Sequence, residues 1–241
     1  MFPYALMAMV TVAACVGALL LRARPRAAAR VGFACWMSLS VYFVIELIVI
    51  LLATAPYNLL YQPMSDLGVT TCGPDTYPLA LYEICSPSHL LMNWTFALTG
   101  VVIAVGAILL DQFWPRGRRA TSATVLLVIY GLSYAISGIV PANIGFAWHT
   151  RGALPGMIAQ IPALLLIALT VRDRMPQLAV WTSVCLAITT GMLLLLALQP
   201  VVPGLPGGLL QRLLYGSVFL WMVGTAIFLW KNGREKPTGD N

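Results

Sequence analysis

Residues 88–110 read SHLLMNWTFALTGVVIAVGAILL, with no lysine, arginine, aspartate or glutamate. At about 1.5 Å of rise per residue such a run makes a helix of about 35 Å, enough to cross a bilayer's hydrocarbon core of about 30 Å. In that core each backbone N–H and C=O must be bonded within the segment, so an apolar run of this length reads as a transmembrane helix. Outward from it lie six further runs, at about 4–21, 31–54, 121–140, 152–171, 177–198 and 212–230. Charge clusters (Arg22-Ala-Arg-Pro-Arg26 and Arg116-Gly-Arg-Arg119) or proline and glycine (200–208) separate them.

Composition agrees. Of 241 residues 60% are hydrophobic and 9% charged, and mean hydropathy is +0.86. A soluble domain carries about 25% charged residues. A soluble enzyme, a disordered tail, a collagen and a disulfide-framework mini-protein are thereby excluded. The expectation is an all-α, polytopic membrane protein: one domain over 1–241, a single bundle of seven transmembrane helices. No linker is long enough to divide it, and no repeat is evident.

Basic residues orient the bundle. With seven spans, 12 of the 14 lysines and arginines fall on one side, leaving Arg151 and Arg212 on the other. By the positive-inside rule the rich side is cytoplasmic, with the N-terminus outside and the C-terminus inside. Six or eight spans would scatter the arginines over both faces. The net charge of +6 is therefore an orientation signal and not a nucleic-acid footprint. The expected location is a prokaryotic cytoplasmic membrane. The first span does not read as a cleaved signal peptide, because its arginines follow the apolar run. Val12-Ala-Ala-Cys15 only loosely resembles a lipoprotein box.

Five cysteines sort by depth. Cys15, Cys35 and Cys185 lie in spans and read as packing residues. Cys72 and Cys85 share the long outer loop, where an oxidising compartment favours a disulfide; closing a loop of about 14 residues contributes roughly 3 kcal/mol. Two free thiols are the alternative.

The same outer side collects the unusual polar residues: Ser65 and Asp66, Ser86 to His89, Asn143, His149, Arg151 and Arg212. His89 and Asn93 share a helix face. Ser38, Tyr42 and Glu46 form a stripe in span two, and Tyr130, Ser133, Tyr134 and Ser137 gather in span four. A carboxyl such as Glu46 in hydrocarbon must face the bundle interior; it is either part of a binding site or a protonated structural group bonded to Gln160 or a tyrosine. Each outer residue also has a structural reading. Ser65-Asp66 can start a short helix, Ser88 can cap span three, His89 and Asn93 can tie helices, and Pro141 and Asn143 can end span four. Arg151 or Arg212 can neutralise Asp66 or anchor to phosphate.

Taken in order, Ser65-Asp-Leu-Gly68 with Cys72, Cys85-Ser-Pro-Ser-His89 with Asn93, Gly138 with Pro141-Ala-Asn143, His149, Gly152-Ala153, and Gly208 with Gln211-Arg212 resemble a prokaryotic membrane family. It is known only as domain of unknown function nine-nine-eight. The resemblance runs from about span two to the end and implies a multi-pass helical protein without an established activity. A fainter likeness is to seven-span hydrolases of the alkaline ceramidase and progestin-receptor-like superfamily, which hold zinc on three histidines; this chain has two. Zinc here would need Asp66, His89 and His149, with water in the fourth position.

The leading expectation is an outward-facing polar pocket binding a lipid or small molecule, formed by Ser65, Asn93, Asn143, Arg151 and Arg212 with Glu46 beneath. The alternative is a metal-assisted hydrolase or transferase on a lipid-linked substrate, with Asp66, His89 and His149 as catalytic residues. A b-type haem on His89 and His149 and a transporter rank below these. The expected partner is membrane lipid, with no nucleic acid.

Overall fold

The computed structural model describes residues 2–234. Met1 and, in the basic tail, Lys236 lie outside them. Helix α1 (Phe2–Leu21) ends at the first arginine cluster, and Pro25, whose fixed φ suits a first turn, opens α2 (Pro25–Ser38). Leu39, still helical in φ and ψ, joins α2 to α3 (Ser40–Leu51), so the pair forms one span interrupted at Leu39. The interruption has a local cause. Ser38 Oγ donates to the Cys35 carbonyl at 2.7 Å and Ser40 Oγ to the Met37 carbonyl at 2.9 Å, bonds that pull on the helix ladder. After a long connection come α4 (His89–Leu110), α5 (Arg118–Ile139), α6 (Phe146–Val171), α7 (Pro176–Leu198) and α8 (Gly207–Arg234).

Seven spans are long and apolar enough to cross a membrane, and among the described residues there is no strand. The ends differ from those read in the sequence. The second span is Pro25–Leu51, the fifth begins at Phe146 and the last at Gly207. Apolarity marks only the stretch that suits hydrocarbon, whereas the hydrogen-bond ladder continues through the polar residues beyond it. At the other limit of span two, Thr54 N–H leaves the ladder for the Cys85 carbonyl at 3.1 Å.

Helix α4 is the hub, packed by α1, α2, α3 and α5. Its apolar window is 72% buried, against 17% for α1. Gly100 of α4 and Gly131 of α5 allow the closest approach: a methyl group on either would collide with the other's carbonyl. Small residues at facing positions let backbones touch, the usual basis of helix association in lipid. The interior is aromatic, with Tyr42 and Phe219 centroids 5.1 Å apart and Tyr134 and Tyr215 likewise 5.1 Å.

Alternating helices leave two unlike ends. One carries the arginine clusters. The other carries the connections 52–88, 140–145 and 199–206, and the candidate site lies there.

Candidate functional site

The 52–88 connection folds into a cap on the loop end. A 3-10 turn, Met64–Gly68, enters the bundle; Cys72 and Cys85 form the expected disulfide, with Cα atoms 4.3 Å apart. Beside it Gly73 and Ile84 exchange two backbone bonds, of 2.9 and 3.0 Å. Val69, Tyr77, Ala80, Ile84 and Ala142 make a small core for the cap, and the Tyr77 ring stacks on Phe146 of α6 at 5.5 Å.

Polar side chains attach the cap to the helices. Asn93 Nδ2 of α4 donates to the Gly68 carbonyl at 2.8 Å, and within the cap Ser86 Oγ donates to the Leu67 carbonyl at 2.8 Å. Asn143 Oδ1 accepts from Thr70 N–H at 3.2 Å while its Nδ2 donates to Thr70 Oγ1 at 2.9 Å. His89 Nδ1 lies 3.0 Å from the Ser86 carbonyl, so His89 and Asn93 share a helix face but bond to different partners. Ser88 occupies the cap position of α4, yet its hydroxyl makes no capping bond, contrary to expectation.

Asp66 is 1% exposed. It is neither a helix cap nor an arginine partner. Its carboxylate accepts from Tyr77 Oη at 2.5 Å and Tyr82 Oη at 2.7 Å. Burial pushes the carboxyl up to about 6, with the two tyrosine bonds and the more distant Arg212 pulling the other way. Burial, and after it Asp66 itself, pushes both phenols above their ordinary range. A water-sized cavity of about 10 Å³ adjoins this group, lined by Tyr57, Gln62, Glu83 and Ser86.

A second recess, of about 50 Å³, lies between the 3-10 turn, α4, α5, α6 and α8. Ser65, Ser137, His149 and Gln211 give it polar walls; Phe96, Met157, Tyr134 and Tyr215 give it apolar ones. His149 Nδ1 lies 2.7 Å from the Val140 carbonyl, which makes that nitrogen the N–H donor and leaves Nε2 a lone-pair acceptor. Gln211 Oε1 accepts from Met64 N–H at 2.9 Å, which leaves its amide N–H₂ as the donor end. The α6 wall is fixed by Ser133 of α5. Its hydroxyl donates to the Gly152 carbonyl and accepts from Gly156 N–H at 2.8 Å, inserting itself into the ladder beside Pro155. Proline removes a ladder donor, and beside it the Ser133 hydroxyl serves the Gly156 N–H and the Gly152 carbonyl.

Glu46 pairs with neither Gln160 nor a tyrosine. Arg212 Nε lies 3.0 Å from Glu46 Oε1, a charge contact whose N–H is not aimed at the oxygen. Arg212 Nη1 reaches the carbonyls of Leu59, Gln62 and Gly208, each at 3.0 Å, and Nη2 donates to Tyr57 Oη at 2.5 Å. This arginine therefore joins α3, the cap and α8. Arg151 is exposed and lies 5.9 Å from the Trp148 ring, so it does not neutralise Asp66.

The predicted residues thus divide. Ser65 and His149 line the larger recess and Asp66 the smaller one, while His89, Asn93, Asn143, Arg151, Arg212 and Glu46 line neither. Among the described residues no three His, Cys, Asp or Glu side chains are grouped to hold a metal ion, and Asp66, His89 and His149 form no such group. Sequence reading missed Tyr57, Tyr77 and Tyr82. The signal available was the tyrosine-rich composition of 57–82 beside an aspartate that had no neighbouring cation.

A family model described as a protein of unknown function (DUF998) matches residues 39–227. The chain belongs to this family. No curated protein and no solved structure matches it. The DUF998 match begins at Leu39, between α2 and α3, and runs into α8, so it takes in the cap, the recess and the Glu46–Arg212 pair and leaves out α1 and α2.

Proposed function

We propose that this DUF998 protein sits in a prokaryotic cytoplasmic membrane with the arginine end inside and the cap outside, and that the recess at His149 binds the polar end of a lipid or small amphiphile. The orientation rests on the 12-to-2 division of basic residues. The disulfide agrees with an oxidising side for the cap.

The observation that carries the binding reading is the pairing of an unengaged His149 Nε2 with the free amide donor of Gln211 on one recess. An apolar hollow with a few convergent polar groups is the usual form of a small-molecule site. No lysine, arginine, aspartate or glutamate lines it. The group it suits is a neutral hydroxyl, able both to donate to Nε2 and to accept from the amide. At about 50 Å³ it takes one or two water-sized groups, so the rest of the ligand would lie along the helices.

Binding of a monoacylglycerol to the purified protein, followed by native mass spectrometry, tests the reading. Ala153→Leu, which fills the recess, should abolish retention and leave the melting temperature unchanged. Equal retention by both proteins would end it. Reporter fusions at Asp75 and Arg118 should read external and cytoplasmic respectively; the reverse would overturn the orientation.

A further inference from the structure

At the arginine end an open cleft of about 790 Å³ lies between the α4–α5 connection, the α6–α7 turn and the last turns of α8. Arg116 and Arg174 stand on its walls with the amides of Gln112 and Asn232, and Trp114 and Leu229 help line it. A neighbouring cavity of about 280 Å³ shares Gln112, Trp114 and Arg116.

The charges here are unequal in their compensation. Among the described residues, the carboxylates at this end are Asp111 and Asp173. Asp111 is held by Arg22 at 2.8 Å and by Thr124 Oγ1 at 2.7 Å, and Asp173 lies 3.3 Å from Arg172. The guanidinium groups of Arg116 and Arg174 have neither an ion pair nor a hydrogen bond among those residues. Two guanidinium groups without a partner among the described residues thus face one cleft that also has apolar lining, at the end of a membrane-spanning bundle. Guanidinium matches a phosphate bidentately, and its weak hydration suits a site beside hydrocarbon.

We infer that this cleft binds the phosphate headgroup of an anionic phospholipid, with Arg116 and Arg174 on the phosphate, the Asn232 amide on the headgroup's remaining oxygens, and the Trp114 and Leu229 side against the glycerol and first acyl carbons. The site is separate from the recess at His149 and does not depend on it. It also does not depend on which side of the membrane the arginines occupy. Basic pockets between helix ends are a physical means of holding anionic lipid in place.

The full-length protein in neutral detergent, titrated with phosphatidylglycerol or phosphatidylcholine and read by native mass spectrometry, tests it. Wild type should retain one phosphatidylglycerol in preference to phosphatidylcholine. R116Q/R174Q should lower that affinity by about tenfold or more, from two arginines near a lipid surface. R118Q/R119Q removes the same charge from the same end outside the cleft and should change it less than about twofold. Asn232→Trp blocks the cleft with both arginines present and should reproduce the loss, which guards against misfolding of the double variant. Equal retention of the two lipids, or equal loss in R118Q/R119Q, would overturn the site. Saturable binding of inorganic phosphate with the same arginine dependence, without retention of phosphatidylglycerol, would overturn the lipid as its ligand.

Discussion

Glu46 of α3 and Arg212 of α8 meet at 3.0 Å inside the bundle, and the same guanidinium carries three carbonyls and the Tyr57 hydroxyl. A lone carboxylate at this depth would be forced to neutralise or to drag water inward. The arginine supplies the opposite charge and spends its other donors on the cap, so one side chain both compensates Glu46 and fixes the cap to the last helix.

Removing Arg212 alone should therefore cost more than removing the charge of both partners. Arg212→Ala is expected to destabilise by about 3–5 kcal/mol, the usual cost of stranding a buried charge. Glu46→Gln in the Arg212→Ala background should recover part of that loss, giving a non-additive cycle. Thermal unfolding in detergent measures both, and an Arg212→Ala loss below about 1 kcal/mol would refute the keystone role.

Asp66 gives the protein a defined pH response. Its folded-state pKa of about 6 stands above the ordinary 3.8, so between those values the folded state holds more protons than the unfolded one. The stability this contributes is complete below the ordinary value and is lost as pH rises through about 6, amounting to up to about 3 kcal/mol. Melting curves of wild type and Asp66→Asn from about pH 4 to about pH 7 should diverge over that window. Parallel curves would show that Asp66 does not titrate there. Asp66→Ala, which orphans two tyrosine hydroxyls, should cost about 1–3 kcal/mol for each.

The disulfide is checked by counting thiols. Unfolded without reductant, the protein should label three cysteines, Cys15, Cys35 and Cys185, and after reduction all five. Cys72→Ser with Cys85→Ser should lower stability by about 3 kcal/mol. Five labels before reduction would exclude the bridge.

Ser133 is inserted into the backbone of α6, so Ser133→Ala leaves Gly156 N–H and the Gly152 carbonyl without that partner. The expected loss is about 1–3 kcal/mol, with faster amide exchange at Gly156. Unchanged exchange would show that the ladder closes without the hydroxyl.

Seven spans, an all-α fold and an alternation of arginine-rich and cysteine-bearing ends were legible in the linear chain. These are local properties: the length of an apolar run against hydrocarbon thickness, the obligation of each segment to bond its own backbone, and charges counted loop by loop. The Cys72–Cys85 pairing was legible for the same reason, being a contact across a sequence separation of 13. Partners in the site were decided by the tertiary structure. Arg212 and Tyr57 stand 155 residues apart, and whether Glu46 meets Arg212 or Gln160 depends on which helices become neighbours and on their rotation about their axes. In lipid, many rotations bury equal apolar area. Close packing at Gly100 and Gly131, the Ser133 insertion in α6 and the entry of Met64–Gly68 into the bundle select one of them. That choice places Asp66 among tyrosines, His149 on the recess, and His89 and Asn143 among the attachments of the cap.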